Sequence, residues 1–96
     1  MTIQKEINGN AATLYIEGWL DTQAAPDVEK AVNDLPAEVD TLTIDMAKTE
    51  YISSSGMRQI VSAHKKMNGN FTLRNVSTDV LDVLRLTGLD KRIHVE

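Results

Sequence analysis

Polar and apolar residues alternate along two short segments near the start of the chain. In the second segment, Leu14 and Ile16 are separated by polar residues, as expected for a half-buried strand. Between the segments lies Asn8-Gly9-Asn10, and Asn and Gly tolerate the positive φ angles of tight hairpins. The pattern predicts an edge strand over residues 2–7, paired antiparallel with a second strand over residues 12–17.

After Gly18-Trp19-Leu20, which ends the second strand, the apolar spacing becomes helical. Asp21-Thr22 offers an N-cap, and Pro26 lies early enough to be tolerated in the first turn. The apolar positions that recur at helical spacing and form one predicted buried stripe are Ala25, Val28, Val32 and Leu35. Pro36 then stops the helix.

The rest of the chain repeats the alternation of strand and helix. The predicted elements are a strand over residues 41–46, a polar crossing over 47–50, a helix over 55–67, a strand over 71–76, a helix capped by Ser77-Thr78-Asp79 and ended by Gly88, and a short strand over 92–95. With strands and helices numbered along the chain, the order is β1-β2-α1-β3-α2-β4-α3-β5. We therefore predict an α/β fold, a single domain over residues 1–96 with a mixed, mostly parallel sheet and right-handed crossovers.

Composition and charge exclude several classes of function. The 96 residues contain no cysteine, so disulfides and thiolate metal sites are absent, and the two histidines have no metal-ligand spacing. A net charge of -4 argues against nucleic-acid binding. No apolar run approaches the roughly 20 residues of a membrane helix, and the N-terminus lacks signal-peptide order. We expect a cytoplasmic protein without membrane insertion, metal or cofactor.

The candidate chemistry lies in Ser53-Ser54-Ser55-Gly56, at the start of the second predicted helix. Backbone N–H groups are unpaired there and the helix dipole is positive, so an attached phosphate would be stabilised. Ser54, as the N-cap or the residue before it, is predicted to accept from the N–H groups of Gly56 and Met57. Glycine at position 56 would leave the backbone open to a phosphate or a partner. No acid completes a capping box, and Arg58 adds a cation.

Other interpretations of these residues remain open. The serine stretch by itself also fits a capping loop without chemistry. A serine hydrolase fits poorly, because Ile52 replaces the glycine of the nucleophile elbow. His64 lies ten positions after Ser54 on the same predicted helix, about 15 Å away. Asp21 caps the first helix or also orients the serine hydroxyl, and Asp45, at the predicted end of its strand, has the same possible second role.

Three segments of the sequence resemble the STAS domain, the fold of bacterial anti-sigma factor antagonists. These segments are Tyr51-Ile52-Ser53-Ser54-Ser55-Gly56-Met57-Arg58, Gly18-Trp19-Leu20-Asp21-Thr22 and the closing Leu84-Arg85-Leu86-Thr87-Gly88-Leu89-Asp90-Lys91. The resemblance covers nearly the whole chain with matching element order. It implies a non-enzymatic protein that binds an anti-sigma factor serine kinase and frees the sigma factor. Phosphorylation by that kinase would release the partner, and a serine phosphatase would restore binding.

The resemblance also implies the site residues. The family's phosphoacceptor is the serine two positions before the motif glycine, which is Ser54 here. Many members have Asp immediately before it, whereas this chain has Ser53, so Ser53 and Ser55 are rival acceptors. The expected partner-binding residues are Asp21, Ser53, Ser55, Gly56, Met57 and Arg58. STAS domains also occur as transporter-associated subunits and signalling scaffolds, which is the alternative function.

Overall fold

A five-stranded sheet is the frame of the molecule. The computed structural model describes residues 1–96. The strands are β1 (Thr2–Asn8), β2 (Ala11–Leu20), β3 (Thr41–Ile52), β4 (Phe71–Arg74) and β5 (His94–Val95), and they lie in the sheet in that order. β1 pairs antiparallel with β2, and every other pair is parallel. The predicted α/β class, the mixed sheet and the element order are therefore confirmed.

Three helices cover one face of this sheet. They are α1 (Ala25–Asn33), α2 (Ser54–Lys66) and α3 (Thr78–Thr87), and a short 3₁₀ helix, Leu89–Lys91, follows α3. Strand register explains why a single face is buried: Leu14 pairs beside Ile44, which pairs beside Leu73, and all three are fully buried. Together with apolar residues of the helices, they belong to one core cluster of 20 residues. The other face has no helix over it and is called the open face below; it carries Tyr15, Thr43 and Arg74.

The turns predicted from Asn and Gly are present. Asn8 pairs with Ala11 across a two-residue connection, and Gly9 has a φ of +64°. After α2, Asn68 and Gly69 have φ angles of 54° and 84°. Positive φ at these positions costs glycine nothing and Asn little, which is why these residues reverse the chain.

The predicted end of β3 at Met46 is wrong, because the strand continues to Ile52. Residues 47–50, predicted to be a polar crossing, belong to the strand. The register with β2 shifts twice in this region, and β3 has the additional residue at each shift. These bulges turn a polar side chain inward: Thr49 is buried and its hydroxyl donates to the Ile16 carbonyl at 2.8 Å. The alternation of polar and apolar residues is therefore lost where the strand bends.

Strand β2 ends at Leu20, within the segment predicted to end it, and the first helix begins later than its predicted N-cap at Asp21-Thr22. A turn at residues 22–24 precedes α1, and the carbonyl of Asp21 accepts from the N–H groups of Ala24 and Ala25 at 3.2 and 2.9 Å. The helix ends at Asn33, so Leu35 lies beyond it and is half-buried. The long β2 and β3 bring their carboxyl ends to the same edge of the sheet.

Candidate functional site

The ends of β2 and β3 place two polar loops side by side. Leu20 pairs with Ile52, and the N–H of Ser53 donates to the Leu20 carbonyl at 2.9 Å. The first loop therefore runs alongside the serine stretch, and the hydroxyls of Thr22 and Ser55 are 3.3 Å apart. Asp21 and the serines therefore both lie just beyond the carboxyl ends of two neighbouring parallel strands, where sheets of this kind place their binding residues.

The structure gives the three serines different environments. Ser53, not Ser54, is the N-cap of α2: its backbone is extended and its Oγ accepts from the Gly56 N–H at 3.1 Å. Ser55 is half-buried and contacts Thr22 through its hydroxyl. Ser54 is the first residue of the helix, it is exposed, and its side chain makes no hydrogen bond within the protein. The predicted capping role of Ser54 is therefore wrong, and its hydroxyl is free.

The start of α2 retains unpaired backbone donors. The Met57 N–H donates to the Ser53 carbonyl at 2.9 Å, and that of Gly56 is taken by the cap. This leaves the N–H groups of Ser54 and Ser55, since no earlier turn of the helix supplies acceptors. The first turn contains no acidic residue. An anion on Ser54 would meet free donors and the positive end of the helix dipole.

Gly56 does not leave the backbone open, contrary to expectation. The residue is buried under the end of β2, and a Cβ atom there would lie 2.6 Å from the Leu20 carbonyl oxygen and 2.8 Å from Leu20 Cγ. It would also approach Ile52 Cγ1 to 3.1 Å. Glycine is required because α2 packs directly against the strand ends. The role of Gly56 is to set the position of the serines rather than to face a partner.

A shallow apolar groove runs between α2 and the end of α3 and includes the free hydroxyl. It has a volume of about 270 Å³ and is lined by Ser54, Met57, Arg58, Val61, Thr87 and Leu89. Arg58 follows Ser54 by four residues, so the two share a helix face, and Arg58 takes part in no ion pair. This groove is called the α2–α3 groove below.

None of the site residues predicted from the sequence lies on the α3 side of this surface. Leu86 is 88% exposed, the most exposed large apolar side chain in the chain. Val80 and Leu84 are the buried residues of α3, and Leu86 lies away from their stripe. The sequence did contain a signal for this exposed residue, because Leu86 is a leucine outside the buried stripe of an amphipathic helix.

Neither Asp21 nor Asp45 contacts the serine hydroxyl that both were predicted to orient. The predicted role of Asp21 as the N-cap of the first helix is wrong, because the N-cap of α1 is Ala24, which has no side-chain capping bond. The Asp21 carboxylate instead accepts from the Ala24 N–H at 2.9 Å, within the turn that precedes the helix, and it makes no hydrogen bond to a serine. Asp45 lies seven positions before Ile52, the last residue of β3, so roughly 20 Å of strand separates it from the serine loop. The expectation that Asp45 assists Ser54 is therefore wrong.

Asp45 instead connects the bulged part of β3 to the end of β4 and the residue that follows it. Its carboxylate, only 9% exposed, accepts from Arg74 and Asn75 at 3.0 Å each and from the Ala47 N–H at 2.9 Å. Burial by itself raises the pKa of Asp45, but the three hydrogen bonds and the guanidinium charge outweigh it and hold the pKa below its ordinary value of 3.8. The same pairing raises the pKa of Arg74.

Replacing Asp45 by Asn will destabilise the protein by about 2 kcal/mol at pH 7, because charge-assisted hydrogen bonds are lost. The folded pKa lies below the unfolded one, so the carboxylate stabilises the fold above pH 3.8 and this stability is lost as the pH falls through the folded pKa. Urea unfolding will show that the free energies of unfolding of wild type and Asp45→Asn differ by a constant amount near neutral pH, and that this difference becomes smaller in acid.

Asp82→Asn is the control for this measurement. Asp82 and Arg85 lie 3.9 Å apart and both side chains are 61% exposed, so their pair adds little stability. A difference between wild type and Asp45→Asn that does not change between about pH 2 and 7 would contradict the assigned pKa shift.

Ser53→Ala will lower the free energy of unfolding by about 1 kcal/mol, whereas Ser54→Ala will leave it almost unchanged. Only the Ser53 hydroxyl accepts from a backbone N–H of the helix. Thermal unfolding of the two variants measures this difference, and an equal loss in both would show that Ser53 is not the functioning cap.

No group of three or more His, Cys, Asp or Glu side chains is arranged to hold a metal ion. No helix is both long enough and apolar enough to cross a membrane.

The strands, helices and connections described above define a small α/β domain with its helices on one face of a mixed sheet. The chain belongs to the STAS domain family, which it matches over residues 2–96. The family expected from the sequence is thus confirmed. Among curated proteins, none matches the chain.

Solved structures share the fold. An anti-sigma factor antagonist from Mycobacterium paratuberculosis has 24% identity and a TM-score of 0.87, over 98% of this chain and 83% of that one. The antagonist SpoIIAA in its unphosphorylated form has 18% identity and a TM-score of 0.78, over 99% and 88%. SpoIIAA of Bacillus is also known in a phosphorylated form. A sulfate transporter family protein from Wolinella succinogenes has 14% identity and a TM-score of 0.80, over 95% and 80%.

Proposed function

We propose that this protein is an anti-sigma factor antagonist controlled by phosphorylation of Ser54. The unphosphorylated form binds an anti-sigma factor serine kinase and frees the sigma factor, phosphorylation by that kinase ends binding, and a serine phosphatase restores it. The protein acts by binding and catalyses no reaction. The observation that carries the proposal is the Ser54 hydroxyl, which is exposed and unbonded while both neighbouring serines are engaged. Family membership and the shared fold with SpoIIAA support it.

The surroundings of Ser54 favour the phosphorylated state without a change of fold. A phosphoryl group adds roughly -1.5 to -2 charges and three acceptor oxygens. At the first residue of α2 these oxygens lie near the free N–H groups of Ser54 and Ser55, at the positive end of the helix. Arg58, one turn further along, is exposed and free of other carboxylates. Cation and donors therefore stabilise the added charge locally.

The same position explains how phosphorylation weakens binding. Ser54 lies at the rim of the α2–α3 groove, whose apolar wall includes Met57, Val61 and Leu89. Leu86, which precedes the groove residue Thr87 in α3, is exposed to solvent. A partner that buries this apolar surface excludes water from the rim, and a doubly charged group there is costly to desolvate.

The proposed partner-binding residues divide into two groups. Met57 and Arg58 line the groove and contact the partner directly. The others hold the loop in place: Asp21 by bonding the Ala24 N–H, Ser53 by capping α2, Ser55 by contacting Thr22, and Gly56 by allowing close packing.

Incubation with ATP and the cognate anti-sigma factor kinase will add one phosphate per chain, measured by intact mass. Ser54→Ala will abolish the labelling, because the hydroxyl available for phosphoryl transfer is removed. Ser53→Ala and Ser55→Ala, which remove the engaged hydroxyls, are the matched controls and will still be labelled. Stoichiometric labelling of Ser54→Ala would assign the acceptor to another residue.

A subunit or scaffold role in a transporter or signalling complex is the second candidate. The observation in its favour is that a sulfate transporter family protein shares this fold. This role predicts tight binding to a transporter subunit that does not respond to Ser54→Ala or Ser54→Asp. Transporter components encoded beside the gene would favour it, whereas a kinase-like anti-sigma factor there favours the switch.

A further inference from the structure

Two exposed aromatic residues lie together on the open face, just before the strand ends. Trp19 of β2 pairs with Tyr51 of β3, and their ring centroids are 5.3 Å apart with the planes tilted by 46°. Trp19 is 58% exposed and Tyr51 is 46% exposed. Large aromatic side chains are usually buried, and where they are exposed in adjacent positions they are typical of binding surfaces.

This aromatic pair is separate from the α2–α3 groove. The next residues along the two strands, Leu20 and Ile52, are buried in the core under the helices. Since successive side chains of a strand point to opposite faces, Trp19 and Tyr51 lie outside this core. Neither residue lines the α2–α3 groove.

The charged side chains that line a hollow beside Trp19 are acidic. This hollow of about 220 Å³ is lined by Met1, Trp19, Asp21, Gln23, Ala24 and Asp27, without a lysine or arginine. Asp21 and Asp27 take part in no ion pair, and Asp27 is exposed in the first turn of α1. Lys48, the cation of β3, lies opposite Glu17 in the strand register and does not line the hollow.

We propose that this surface docks an arginine-bearing segment of a protein partner. A guanidinium group is planar, so it stacks on the indole face of Trp19, the aromatic ring that attracts cations most strongly. Its N–H groups then reach the carboxylates of Asp21 and Asp27, which have no cation of their own. The surface works independently of phosphorylation on Ser54 and thus adds a second contact region to the proposed function.

The chain contains a single tryptophan, so its fluorescence reports on this surface alone. Titration with an acetylated hexa-arginine peptide at low salt will give a saturable change in Trp19 emission, and a glycine-serine peptide of equal length will give none. Asp27→Asn will weaken hexa-arginine binding by roughly fivefold. Asp79→Asn is the matched control, because Asp79 occupies the first turn of α3, is exposed and does not line the hollow.

Three results would overturn this inference. The first is the absence of a saturable change in Trp19 emission. The second is an equal loss of affinity in Asp27→Asn and Asp79→Asn, which would indicate general charge attraction. The third is self-association of the chain in ultracentrifugation that buries Trp19. The proposed switch is tested separately. If the kinase does not phosphorylate Ser54 but hexa-arginine still binds the chain, the proposed switch fails and the proposed docking surface stands.

Discussion

Gly56→Ala will destabilise the protein by about 3 kcal/mol and lower its melting temperature by roughly 10 °C or more. The new Cβ would lie 2.6 Å from the Leu20 carbonyl oxygen, which is backbone and cannot move without disturbing the pairing of β2 with β3. Alanine is otherwise the better helix former by about 1 kcal/mol, so propensity alone predicts stabilisation. The sign of the change therefore distinguishes close packing from helix propensity, and urea and thermal unfolding measure it.

Ser54→Ala, two positions earlier on the same helix, is the control for Gly56→Ala. It adds no atoms, and its hydroxyl bonds to nothing in the protein, so stability will be unchanged. A neutral or stabilising effect of Gly56→Ala would show that α2 does not pack against Leu20 as described.

Local patterns in the sequence predicted the order of elements because each pattern has a local cause. The hairpin at Gly9 and the end of α3 at Gly88 depend on residues that accept positive φ, and both were predicted correctly. The cap of α3 was also predicted, since Ser77 accepts from the Val80 N–H three residues later. In these places, short-range chemistry alone determines the conformation.

The failures occur where distant residues decide the structure. Residues 47–50 look like a polar crossing, yet they pair with β2, and Thr49 is buried because the Ile16 carbonyl accepts its hydroxyl. The N-cap of α2 was predicted at Ser54 but lies at Ser53, for a related reason. Once β3 continues to Ile52, the Ser53 N–H is held by Leu20 and the helix must begin at the next residue.

This shift by one residue improves the site. A hydroxyl at the N-cap is occupied with helix donors, whereas a hydroxyl at the first helical residue is free and exposed. The family resemblance singled out Ser54, but the local chemistry of the sequence could locate only the serine stretch, since all three members have the same side chain. Their ranking comes from Leu20 and Thr22 in the neighbouring loop, which engage the backbone of Ser53 and the hydroxyl of Ser55.

Ser54→Asp will weaken binding to the anti-sigma factor kinase by about 100-fold, equivalent to about 2.7 kcal/mol. The added carboxylate lies at the rim of the α2–α3 groove, where a docked partner would exclude the water that solvates it. A carboxylate at the first residue of a helix stabilises the helix, so reduced binding will not arise from unfolding. Titration calorimetry at fixed salt measures the change, and phosphorylated wild type, with its larger charge, will bind more weakly still.

Ser62→Asp is the control for the charge itself. Ser62 is exposed on the same helix and does not line the groove, so the same change in net charge there will alter binding less than threefold. Raising the salt concentration will recover little of the loss in Ser54→Asp, because desolvation of a buried charge is screened far less than attraction between exposed charges. An affinity of Ser54→Asp equal to that of wild type would mean that the partner does not cover Ser54, and the charge mechanism would then be wrong.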